Sequence, residues 1–110
     1  MINETLSRIE AAITRIQAGN SKEKAELVKL LKDLKSELAA VPESRADDAR
    51  SVGYFTEAAA HEVSRDNGSA QLRNLSISGI AYSVKGFEAT HPKMVSVANE
   101  LCMILARMGI

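Results

Sequence analysis

Residues 76–92 read SISGIAYSVKGFEATHP, and the fold turns on how they are taken. In steps of two, Leu75 and Ile77 alternate with Ser76 and Ser78. The phase slips at Gly79, and Ile80, Tyr82 and Val84 then alternate with Ala81, Ser83 and Lys85, as in a strand with a glycine bulge. In steps of three and four, Ile77, Ile80, Val84 and Phe87 fall on one helix face, and Leu72, Ser76, Gly79, Ser83 and Gly86 on another. A strand needs a partner, and only the weak run Val52 to Phe55 offers one, whereas the flanking segments have helical periods. The stretch is therefore predicted to be helical. Its small residues Gly79, Ser83 and Gly86 would then let a neighbouring helix come close. The two glycines cost on the order of 2 kcal/mol in helix propensity, which packing has to offset.

The end of the stretch is a corner. A residue before proline avoids helical geometry, so His91 is expected outside helix, and Pro92 suits the first position of the next one. The preceding helix is expected to end near Ala89 or Thr90. Phe87 can then pack on Met94 or Val95 in the manner of a hydrophobic staple. Thr90 or His91 can accept from the free amides of the last helix. On this reading FEATHP forms a turn.

Working outward, NETLSRIEAAITRIQAGN places Ile2, Leu6, Ile9, Ile13 and Ile16 on one stripe, with Asn3 as cap, Glu4 and Arg8 one turn apart, and Gly19 as stop. In the second segment Leu27, Leu31, Leu34, Leu38 and Val41 keep a heptad rhythm behind a cap at Asn20 or Ser21, with Glu23 three residues after Asn20. These two helices, residues 1–41, are expected to form an antiparallel amphipathic hairpin. Residues 42–50 are polar and read as a linker, or as the start of the next helix with Pro42 in its first turn. The third segment carries a thinner stripe of Val52, Phe55, Ala59 and Val63, weakened by Gly53, and ends at the turn signal Asp66-Asn67-Gly68. The last, HPKMVSVANELCMILARMGI, is apolar on nearly all sides: Met94, Val97, Ala98, Leu101, Ile104, Leu105 and Met108, widened by Val95 and Cys102. Met103 lies within its narrow polar stripe. Gly109 and Ile110 suit a Schellman ending.

Composition bounds what such a chain can do. Its 110 residues make one domain, residues 1–110, with residues 51–110 supplying about three helices after the hairpin and linker. The chain has no Trp, two Phe and two Tyr, so aliphatic residues must build the core. Fourteen basic and fourteen acidic residues cancel, without the basic excess that phosphate binding favours, and nucleic acid is not expected as a partner. Residues 21–42 carry five Lys against three Glu and one Asp, and residues 43–66 six acids against three Arg, a mild asymmetry of solvated faces. No run approaches the ~20 apolar residues of a membrane span, and nothing resembles a signal peptide. With Cys102 as the single cysteine, the chain is read as cytoplasmic with a reduced, buried thiol.

Chemistry-bearing residues are few. Glu88-x-x-His91 has the spacing of carboxylate-bridged metal bundles, but those need two such pairs and two further Glu. Glu57 and His61, four apart, could share a metal with Glu62, Glu88 or His91. Against this, His61 reads as an exposed polar residue and His91 as a cap. Cys102 on an apolar helix would have a raised pKa and low reactivity. The segment GSAQ at 68–71 lacks the lysine of a phosphate loop, and the second helix lacks aromatics for stacking on bases. No catalytic residue, metal or cofactor is assigned.

Phe87-Glu88-Ala89-Thr90-His91-Pro92, with the ending Ala106-Arg107-Met108-Gly109-Ile110, resembles a bacterial family of short helical proteins classed as a domain of unknown function. Its members open with a leucine-rich amphipathic hairpin and close with this corner and an MGI terminus. The likeness is good over residues 70–110 and loose over 1–41; residues 43–69 form an extra element. It implies an all-helical fold and brings no activity, cofactor or catalytic residue. The expectation is an all-α, oligomeric bundle, a dimer first, that serves as a non-enzymatic assembly or protein-interaction module. The rival is a metal- or ligand-binding bundle using Glu57, His61, Glu88 and His91. Candidate structural and interface residues are Gly79, Gly86, Phe87, His91, Pro92, Leu101, Met103, Leu105 and Met108. Surplus apolar surface on the last helix and the seams on the first two are the reasons to expect a second copy.

Overall fold

The computed structural model describes residues 2–17, 22–65 and 67–108, and among them every regular element is helical. Five α-helices follow in order: α1 (Ile2–Gln17), α2 (Lys22–Ala39), α3 (Ala46–Ser64), α4 (Ala70–Val84) and α5 (Pro92–Met108). Short 3-10 turns at Glu43–Arg45 and Lys85–Phe87 precede α3 and follow α4. The stops and caps expected at Gly19, Asn20, Ser21, Gly109 and Ile110 lie outside the described residues, as do Asp66 and the side chains of Ile2 and Ile16.

The helices close a ring. α1 packs on α2 and α3, α2 on α5, α5 on α4, and α4 on α3. The radius of gyration, 12.8 Å, matches the ~13 Å of a single packed domain of this length, so one core serves all five. Each helix turns its stripe into that core. Ile9 and Ile13 of α1 are buried, as are Leu27, Leu31, Leu34 and Leu38 of α2, with Val41 just beyond it. Each such side chain contributes about 1.5–3 kcal/mol when fully buried. The seam on α2 is therefore covered within the chain, as are Ile9 and Ile13 of the α1 seam, with Leu6 half-buried. Val28 and Leu30, outside the heptad rhythm, are buried as well. Glu10 to Lys35, 2.6 Å, links α1 to α2, and Arg8 to Glu57, 3.0 Å, links α1 to α3. The expected Glu4–Arg8 pair is present at 3.5 Å.

Three boundaries differ from the sequence expectation. Asn3 lies inside the first turn of α1, which begins at Ile2. Of the polar stretch 42–50, only the first part is a connector; α3 takes it over from Ala46 because Ala46 and Ala49 extend the stripe of Val52, Thr56 and Ala59 backward by two turns. α4 ends at Val84, not near Thr90, and tightens into the 3-10 turn that carries Phe87 into the core.

Residues 76–84 are helical, and Gly79 explains why small residues stand there. A Cβ at Gly79 would overlap the ring of Phe55 on α3. Gly86 has a different role from the one expected. It sits in the 3-10 turn, beside the Arg45 guanidinium rather than a helix backbone.

The α3–α4 turn falls at the expected Asn67-Gly68 signal, and Glu62 and Ser69, to which periodicity gave no part in it, hold it. Asn67 takes a left-handed conformation, φ 58°, which Asn tolerates better than most residues. A Cβ at Gly68 would run into the Glu62 carbonyl. The Glu62 side chain, 7% exposed, accepts from the Ser69 amide and from Arg65, each at 2.9 Å. Ser69 Oγ in turn accepts from the Leu72 amide at 3.1 Å as the N-cap of α4.

Candidate functional site

The corner is a structural joint. His91 is outside helix and Pro92 opens α5, as the proline demands. The His91 carbonyl accepts from the amides of Met94 and Val95. Its imidazole does not cap them; Nδ1 lies 2.9 Å from Thr90 Oγ1, and the ring meets Phe87 edge-on at 5.6 Å. Phe87 is fully buried in the same core as Met94, with Val95 packed at its edge. The residue that locks the corner is Arg45, from the other side of the chain. Its guanidinium donates to Gly86 O at 3.0 Å, to Thr90 Oγ1 at 3.4 Å and to Asp48, and lies over the Phe87 ring.

The four residues of the metal reading do not come together. Glu57 is paired with Arg8. His61 lies 3.9 Å from Glu62 at the far end of α3, and Glu62 is occupied by the turn. Glu88 and His91 sit at the α4–α5 corner. Among the described residues no three His, Cys, Asp or Glu side chains converge on a point where a cation could bind. The Ser69 amide, helped by Arg65, holds the Glu62 carboxyl below the ordinary carboxylate range despite its burial. Cys102 is half-buried, its Sγ 3.6 Å from the Ile77 carbonyl, and burial raises its pKa. A raised pKa disfavours the thiolate and with it nucleophilic chemistry.

The apolar surplus is not where periodicity put it. Leu101 and Leu105 are buried, as are Met94, Val97, Ala98 and Ile104, and Met108 is half-covered. α2 and α4 flank α5 and enclose its broad face. Only Met103 protrudes, 65% exposed, beside a depression of about 230 Å³ shared with Leu30 and Ile104.

Of the six large apolar side chains exposed among the described residues, three are on α4; Tyr54 and Phe55 are on α3 and Met103 on α5. Leu75 is 67% exposed, Tyr82 70% and Leu72 48%. Spacings of three and seven residues put all three on one outer stripe, away from the buried Ser76, Ile80 and Val84. Phe55, 40% exposed, leans onto this stripe at Gly79. Beside Leu72 and Leu75 lies a shallow open groove of about 500 Å³, lined also by Gln71, Asn74 and Ser78. The face carries little charge: Arg73, the one charged residue among the fifteen of α4, is half-buried, and Lys85, just past the helix, lies over the Tyr82 ring at 4.8 Å. Sequence reasoning missed it by sorting residues 72–87 into two faces that left out Leu75 and Tyr82. The available signal was that fifteen-residue segment with a single charge, in a chain one-quarter charged.

Compared with family models, with curated proteins and with solved structures, the chain matches none. No helix among the described residues is long and apolar enough to cross a membrane.

Proposed function

We propose that the protein is a non-enzymatic helical module that acts by self-assembly, and that its docking surface is the outer face of α4 rather than α5. The observation that carries this is the row of Leu72, Leu75 and Tyr82 in solvent on a helix with one charged residue, Arg73, and with Lys85 just past its end over the Tyr82 ring. Depletion of charge with retention of aromatic residues marks the centre of protein interfaces, and a contiguous exposed apolar patch on a small domain marks an interaction site. The metal- or ligand-bundle reading has no comparable support, since Glu57, His61, Glu88 and His91 are spread over separate parts of the fold.

The same reading takes α1 and α2 as an antiparallel hairpin, supported by the short gap between Gln17 and Lys22 and by the Glu10–Lys35 pair. It takes the chain as cytoplasmic, supported by its lone thiol. Membership of the helical family with the FE-x-x-HP corner belongs to it too, supported by the helical fold and the Phe87–His91 packing. The test is the mass in solution by light scattering as concentration rises. The expected result is a rise above 11.9 kDa; a monomer at every concentration defeats the reading.

A further inference from the structure

We infer that the occupant of the α4 face is the α4 face of a second copy, laid antiparallel across a twofold axis that passes close to Ser78. The inference rests on the self-assembly reading and gives it a geometry. The groove on α4 is lined by Gln71, Leu72, Asn74, Leu75 and Ser78. Of these, Gln71, Asn74, Leu75 and Ser78 stand at i, i+3, i+4 and i+7, the spacing of a four-residue hole that receives one side chain from a facing helix, and Leu72 stands at its rim. Tyr82, the most exposed large apolar side chain among the described residues, stands on the same stripe, four residues beyond the last member of the hole. A hole centred between residues 74 and 75 and a knob at 82 have their midpoint at residue 78. A twofold axis there places each Tyr82 in the other copy's hole at once, so one face satisfies itself.

Size and charge at the midpoint agree. Ser78 is small and exposed and lets two backbones approach. With Arg73 half-buried and Lys85 lying over the Tyr82 ring, pairing about Ser78 sets each Lys85 opposite Gln71, and no like charges are forced together. A basic partner would find no acid on α4 to pair with and an acidic one only Lys85 at its edge, whereas a second copy meets the same mix of apolar and uncharged polar side chains. Area sets the strength. A fifteen-residue helix offers a strip about 22 Å long and about 10 Å wide, short of the roughly 800 Å² that each partner buries in a standard complex. Even with Phe55 at the rim, the pair is a weak, concentration-dependent dimer.

A charge-swap experiment tests the arrangement. Leu75→Glu and Tyr82→Lys change exposed side chains, and circular dichroism melting checks that both variants fold. Each alone should lower self-association about tenfold or more. Mixed in equal amounts they should recover it, because Glu at 75 in one copy then faces Lys at 82 in the other, while the second contact keeps its natural residues. Independently, Ser78→Cys in a Cys102→Ala background should oxidise to a disulfide-linked dimer, and Ser96→Cys on α5 in the same background should not. Association of the natural chain without recovery in the mixture, and without the Ser78→Cys cross-link, overturns this geometry and leaves assembly by another face. A natural chain that stays at 11.9 kDa throughout removes both the geometry and the reading beneath it.

Discussion

The guanidinium of Arg45 lies 4.3 Å from the centre of the Phe87 ring, forty-two residues away in the chain. One side chain thus joins the start of α3 to the corner between α4 and α5, stacking on a buried aromatic while donating to Gly86 O and Thr90. Arg45→Ala should destabilise the fold by about 1–3 kcal/mol, the sum of a cation–π contact and two hydrogen bonds. Arg45→Lys should recover little, since an ammonium lacks the planar fork that serves all these partners. Urea unfolding followed by circular dichroism measures both.

His91 acts through its ring. His91→Ala should cost about 0.5–1.5 kcal/mol through the lost edge contact with Phe87, and His91→Phe should restore most of it. A cap would behave in the opposite way, because phenylalanine cannot accept an amide hydrogen bond. Thermal melts of the two variants separate these roles.

Gly79→Ala sets helix propensity against packing. Alanine gains about 1 kcal/mol in a helix interior, yet its Cβ would displace the Phe55 ring. The substitution should be neutral to destabilising in the natural chain and stabilising in a Phe55→Ala background. A double-mutant cycle reads the difference as coupling between the two sites.

The Glu62–Ser69 turn makes stability depend on acid. The folded-state pKa of Glu62 lies below its unfolded value because the Ser69 amide and Arg65 favour the carboxylate. Its contribution is therefore complete above the ordinary carboxylate pKa and is lost as pH falls through the depressed one. Glu62→Gln should flatten that acid limb in stability measured against pH. Ser69→Ala should cost about 1 kcal/mol as a lost N-cap.

Met103 serves as a contrast. It is exposed, but it stands alone on a helix whose other apolar residues are covered. Met103→Glu should change stability by less than about 0.5 kcal/mol and leave association intact, whereas the same charge at Leu75 should not. Light scattering on the two variants side by side decides which helix carries the contact.

What the sequence made legible was whatever repeats along one helix. Leu27, Leu31, Leu34 and Leu38 announce their burial by spacing, and Pro92 announces the corner by its fixed geometry. Residues 76–84 were resolvable as helix only because no other segment could pair with a strand. Features that need two distant segments left little trace. Arg45 looks like any polar residue of a connector until Phe87 is beneath it. Glu62 looks like half of a Glu–His pair until the turn brings Ser69 back to it. The same limit displaced the candidate interface. Periodicity counts the apolar positions on α5 and α4 but does not say which of them the neighbouring helices cover.

The ring order also bears on how the chain reaches its native state. α3–α4 and α4–α5 join consecutive segments, so Phe55 and Gly79 can meet after closing a short loop. The α2–α5 seam, where Leu30 and Ile104 line one crevice, joins segments some fifty residues further apart along the chain, and loop entropy delays it. Truncating Leu30 or Ile104 should then mainly quicken unfolding, while loosening Phe55 should slow folding, as rate constants partition between an early nucleus and a late closure.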